Sequence, residues 1–171
     1  MQVENSIINR VAQSGLITLD LENFLPKSDI IAFDIKPFLF KELILKEKDF
    51  REALDEIDWA DYSDKLVALY CSNEAIIPNW AYMLIVKNLN PFAKEIVFGN
   101  EQILKEQLIL KAISRINIDD YRGQNVIIKG CGDNAVSTVL YVEITKLLQP
   151  VVKKLMYGEA CSNVPIYKKK Q

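Results

Sequence analysis

The sequence predicts an α/β fold: a largely parallel sheet with helices on both faces, built on a duplicated helix–strand–helix–strand unit and preceded by an N-terminal helix and strand pair. Three observations predict it. Short apolar runs alternate with helical patterns, the second half of the chain repeats the first at a constant offset, and proline or glycine ends the elements at matching places. A chain of 171 residues suits a single domain, 1–171, with a substantial core.

Shifted by 59 residues (Asp61 onto Asp120), the chain matches itself without a gap. Tyr62 falls on Tyr121, Val67 on Val126, Tyr82 on Tyr141, Pro91 on Pro150 and Gly99 on Gly158. KNLNPFAKEIVFG in one copy becomes KLLQPVVKKLMYG in the other, and Ala53 and Ile57 match Ala112 and Ile116. The repeated units are 52–99 and 111–158.

At the N-terminus, 6–13 reads as a helix ending at Gly15. Residues 16–21 alternate as a half-buried strand does, with Ile17, Leu19 and Leu21 on one face. A second strand, 30–35, is bounded by Pro26 and Pro37, and the two are expected to form an antiparallel edge or a small cap. Asp49, with Glu52 three residues on, is a capping-box-like start for a helix over 50–57. Its counterpart over 101–116 carries Ile103, Leu104, Leu108, Ala112 and Ile113 at helical spacing. Leu66-Val67-Ala68-Leu69-Tyr70 and Val126-Ile127-Ile128 suit strands buried on both faces. Crossover helices over 78–90 and 136–149 stop at Pro91 and Pro150. Closing strands, 95–98 and 154–157, end at Gly99 and Gly158. Strands joined through helices run parallel, so one sheet of four such strands is expected. Trp80, Tyr82 and Met83 read as core of the first crossover helix. The two Asp-Tyr pairs, Lys87 with Lys146 and Lys94 with Lys153, read as structural.

Composition removes several classes of function. Half of the residues are hydrophobic and 26% charged, as in a globular domain. A net charge of −2 gives no footprint for nucleic acid, and Lys168-Lys169-Lys170 reads as a solvated tail. No apolar run approaches the roughly 20 residues that span a bilayer, and no targeting segment is visible, so a cytoplasmic protein without a membrane partner is expected. Three cysteines, an odd number, argue against a disulfide framework. The chain has no histidine, which excludes Ser-His-Asp triads, Cys-His dyads and histidine-containing metal sites within one chain.

The cysteines fall where ligands of open α/β sheets bind. Cys71 ends the first strand of one unit, Cys131 follows the equivalent strand of the other, and Cys161 lies just past the last strand. Two of them precede helices, whose N-termini favour thiolate. Free cysteine is also a common apolar filler, the spacings of 60 and 30 residues match no compact metal motif, and the repeat aligns Cys71 with Gly130 and Ser72 with Cys131. The most site-like stretch is Lys129-Gly130-Cys131-Gly132-Asp133-Asn134, where glycines permit close approach of a ligand and a lysine stands beside the thiol. It can equally be a tight strand-to-helix turn. Asp34, Glu74 and Glu143 form no recognisable acid/base pair.

NRVAQSGLITLDLE, KEKDFREAL, NWAYML and LQPVVKKLMYGEACSNVP resemble an uncharacterised bacterial family classed as a domain of unknown function, whose genes neighbour those of Suf-type iron–sulfur assembly. The resemblance transfers no catalytic roles; it implies a place for the cysteines in iron–sulfur or sulfur metabolism. Three readings stand. The leading one is an accessory protein with Cys71, Cys131 and Cys161 as ligands of zinc, iron or an iron–sulfur cluster, acting with an assembly partner and possible as a homo-oligomer. The second is a thiol-dependent enzyme on a small anionic substrate, with Cys131 as nucleophile and Lys129 as electrostatic support. The third is an interaction or scaffold module with inert cysteines.

Overall fold

The computed structural model describes residues 15–25, 27–130 and 136–170. The expected helix over 6–13 and Cys131 with its following turn lie outside them. Among the described residues the elements run β1 (Leu16–Asp20), β2 (Ile30–Asp34), α1 (Glu47–Asp55), β3 (Leu66–Tyr70), α2 (Asn79–Leu89), β4 (Glu95–Phe98), α3 (Glu101–Ile113), β5 (Asn125–Lys129), α4 (Thr138–Leu148), β6 (Lys154–Glu159) and β7 (Ser162–Lys168). This is a mixed α/β architecture with two largely parallel sheets. The chain divides into two compact units, Met1–Leu25 with Leu108–Gln171, and Pro26–Gln107.

In the second of these units the sheet order is β2-β3-β4, all parallel, with Leu66 of β3 opposite Ile30 and Glu95. Leu66, Val67, Ala68 and Leu69 are all buried, as an unbroken apolar run in a central strand requires. Helix α1 begins at Glu47, three residues before the expected start, and no side chain caps it. Glu47 and Asp49 instead place negative charge in the first turn, where the helix dipole favours it, while Phe50 and Leu54 bury one face. Ala81, Ile85 and Leu89 form the buried stripe of α2. Met83 is 70% exposed, a correction to its reading as core. At roughly 100° per residue it points away from that stripe. The core is aromatic: Phe33 stacks on Phe38 and Trp59 at 5.8 and 5.7 Å, and Phe50 sets its ring edge to Trp80 at 6.0 Å.

In the other unit the order is β1-β5-β6-β7. Its core is aliphatic, with Leu19, Val126, Ile128, Leu140, Ile144, Leu148 and Leu155 packed together. Ser137 caps α4, its hydroxyl accepting from the Val139 N–H at 3.3 Å.

Element boundaries recur at the offset of 59 residues. β3 maps onto β5, α2 onto α4, and the 3-10 turn Trp59–Tyr62 onto Ile118–Tyr121. Asp64 N–H donates to Phe92 O at 3.1 Å, and Gly123 N–H to Val151 O at 2.8 Å. Tyr82 meets Phe98 edge-on at 5.2 Å, and Tyr141 meets Tyr157 edge-on at 5.5 Å.

Two expectations are corrected. β1 and β2 do not pair with each other; β1 lies parallel to β5 and β2 parallel to β3, so the single four-stranded sheet is two sheets. Each strand ends on an aspartate that turns the chain off the sheet: Asp20 Oδ1 accepts from Glu22 N–H at 3.1 Å, and Asp34 Oδ1 from Lys36 N–H at 3.0 Å. Neither turn is a hairpin. The expected C-terminal tail is largely β7, antiparallel to β6. Pro165 weakens its strand signal, yet an edge strand tolerates a residue without an N–H.

Candidate functional site

Polar side chains gather at the C-terminal ends of the parallel strands in both units. In the four-stranded sheet, Lys129 ends β5 opposite Asp20 of β1. Its Nζ lies 3.0 Å from Glu159 Oε1 at the end of β6. That hydrogen bond and the charge of Glu159 hold the Lys129 ammonium above its ordinary pKa, with smaller help from Asp20 and Glu22, so it stays protonated. Glu22 follows β1 in a 3-10 turn, and its Oε1 is buried with no hydrogen-bond partner among the described residues. Leaving a buried polar atom unpaired costs about 1–3 kcal/mol, more for a charged one, which marks this oxygen as a place for a cation or a donor.

Gly130 follows Lys129, and the Tyr141 hydroxyl donates to its carbonyl at 2.9 Å. A Cβ on Gly130 would stand 2.5 Å from that hydroxyl oxygen and 3.2 Å from Val136 Cγ2, so a side chain at this position must displace the tyrosine. Beside it opens a cleft of about 350 Å³ lined by Ile128, Thr138, Tyr141, Thr145, Tyr157 and Ile166. Cys161 is exposed, in the turn between β6 and β7, at the same end of this sheet.

At the corresponding end of the three-stranded sheet, Asp34 accepts three hydrogen bonds. Oδ1 takes the N–H of Ser72 at 2.9 Å and of Lys36 at 3.0 Å, and Oδ2 takes the Ser72 hydroxyl at 2.5 Å. Burial pushes the Asp34 pKa up, but the Ser72 hydroxyl, the two N–H groups and the Lys36 charge together outweigh it and bring it below its ordinary value. Asp34 is therefore ionised at neutral pH and Ser72 is committed as a donor. Cys71, half-buried, packs against the aromatic core, and burial, followed by the nearby Cys71, raises the Tyr82 pKa.

Of the predicted site residues, Lys129 and Cys161 thus share one sheet end, Cys71 belongs to the other sheet, and Cys131 lies outside the described residues. Among the described residues, no three Cys, Asp or Glu side chains form a group that can hold a metal ion. Sequence reasoning missed Asp20, Glu22, Ser72 and Glu159, and left Asp34 among scattered carboxylates. The available signal was the matched Thr18-Leu19-Asp20-Leu21 and Ala32-Phe33-Asp34-Ile35, each an apolar strand closed by an aspartate.

Residues 5–169 match the family described as protein of unknown function (DUF2480), and the chain belongs to that family. No curated protein and no solved structure matches it.

Proposed function

Starting from membership of a family with no activity attached, we propose that this chain is an accessory protein that binds iron, zinc or a sulfur species at the C-terminal end of the four-stranded sheet. The observation that carries the proposal is the buried, partnerless Oε1 of Glu22 beside Asp20, Lys129 and Glu159. Neighbouring strands lie roughly 4.8 Å apart. Cys161, just past β6, and Cys131, which follows Gly130 beyond β5, therefore leave the sheet from adjacent strand ends. Thiolates with carboxylates suit zinc or iron. Cys131 and Cys161 are the principal proposed ligands and Cys71 the third, with a protein partner in iron–sulfur assembly and a cytoplasmic location. No described helix is long and apolar enough to cross a membrane.

The proposal includes duplication. The constant offset of elements, of backbone bonds and of the two Tyr-centred ring pairs supports one ancestral unit used twice. Because β1 precedes the whole of Pro26–Gln107, one copy would be inserted within the other.

A second reading draws on the Lys129–Glu159 pair. A lysine held protonated next to Gly130 suits an anionic substrate attacked by the Cys131 thiolate. Anaerobic purification separates the two readings. The accessory protein carries iron, zinc or sulfide, and Cys131→Ser, Cys161→Ser and Glu22→Gln each lower that content. Metal-free protein whose Cys131 alone alkylates faster than a model thiol at mildly acidic pH rejects the first reading for the second.

A further inference from the structure

We propose that the outer edge of β4, with the apolar face of α2 beside it, is a self-association surface on which a second copy of this chain lays its own β4 antiparallel. The two units supply the comparison. In the four-stranded sheet, the edge of β6 away from β5 is covered by the antiparallel strand β7, and Ile166 of β7 reaches the cleft lined by Tyr141, Thr145 and Tyr157. At the offset of 59 residues the same positions in the other unit are Tyr82, Val86 and Phe98. There, among the described residues, no strand lies beyond β4.

The uncovered face is also the more apolar one. Thr145 is replaced by Val86 and Tyr157 by Phe98, so two hydroxyls are lost where more surface meets solvent. Phe98 is 65% exposed against 37% for Tyr157, and Met83 of α2 is 70% exposed. An open strand edge with an apolar flank is a template for another strand, and contiguous exposed apolar surface marks interaction sites.

An antiparallel neighbour is what β6 takes in β7, and a two-fold axis across the strand makes β4 of a second copy such a neighbour. Met83, Val86 and Phe98 carry no charge to oppose their own copies, so the patch is self-complementary. The two three-stranded sheets then join as β2-β3-β4-β4-β3-β2. This inference uses none of the residues proposed to bind metal, and it stands or falls separately.

Analytical ultracentrifugation of the full chain tests it, with hydrogen exchange over 95–98 as a second measurement. The wild type sediments as a dimer, and exchange at 95–98 slows as concentration rises. Phe98→Lys and Met83→Lys each raise the dissociation constant at least about 30-fold, the equivalent of one hot-spot residue. Val142→Lys, at the position of Met83 in the other unit, leaves it unchanged. Far-UV circular dichroism of the variants matches wild type, since both side chains are exposed. A chain that stays monomeric at every soluble concentration overturns the proposal. So does a dimer indifferent to both lysines, or one whose 95–98 exchange does not depend on concentration.

Discussion

Asp34→Asn removes the charge that three donors share while nearly preserving the shape of the side chain. In the folded chain Asp34 accepts from Ser72 N–H, Lys36 N–H and the Ser72 hydroxyl at 2.9, 3.0 and 2.5 Å. Asparagine keeps one acceptor oxygen but turns an NH₂ toward a donor. Hydrogen bonds to a charged group contribute about 1.5–3 kcal/mol each at most. Because Asp34 is half-buried and water competes for it, a total loss of about 1–3 kcal/mol is expected at pH 7. The sign of the pH dependence follows from its lowered pKa. An aspartate whose folded pKa lies below the unfolded value contributes fully above about pH 5 and loses that contribution as pH falls through the folded value. The gap between wild type and Asp34→Asn therefore narrows as pH falls below the ordinary value of 3.8. Urea unfolding from pH 7 to pH 3, followed by tryptophan fluorescence, measures it. Both tryptophans, Trp59 and Trp80, lie in the unit that contains Asp34, so the signal reports that unit alone. Ser72→Ala in a double-mutant cycle isolates the hydroxyl bond. A gap under about 0.5 kcal/mol at pH 7, the range of an uninvolved surface site, or a gap constant down to pH 3, would refute the assignment.

Two further perturbations probe the core and the site turn. Phe50→Ala empties the space between Phe38 and Trp80 and is expected to cost about 3–5 kcal/mol, with a shift in the Trp80 emission that Asp34→Asn does not produce. Gly130→Ala drives its Cβ to within 2.5 Å of the Tyr141 hydroxyl, breaking the bond to Gly130 O and costing about 1–3 kcal/mol. If Tyr141→Phe in the Gly130→Ala background does not relieve part of that loss, the clash is not its cause.

How much was legible in the sequence varied with how local the cause was. β2–β4 and the crossover helices were legible within a residue or two because a buried strand must be continuously apolar and a crossover helix must stop before its proline. The start of α1 was misread because Asp49 and Glu52 imitate a capping box, whereas acidic residues in the first turn stabilise the same helix through its dipole. β7 was missed because Pro165 is disfavoured inside a sheet but harmless at its edge. At the candidate site, Lys129 and Cys161 could be named because glycines and strand ends mark them. Glu159 and Glu22 could not, since they meet Lys129 only when β1, β5 and β6 lie side by side.

The sequence by itself determined the class of the fold, the alternation of strand and helix, and the matching positions of the two halves. Each follows from periodicity and chain stiffness over a few residues. Only the tertiary structure decided which strands are neighbours. Periodicity specifies that Leu16–Asp20 and Ile30–Asp34 are strands, but an edge strand can pair with any partner of compatible register, at nearly the same cost per residue. The choice of β5 for one and β3 for the other rests on long-range burial, with Leu19 entering the aliphatic core and Phe33 the aromatic one. That choice carries Asp20 to Lys129 and Asp34 to Ser72, and with them the chemistry of each sheet end.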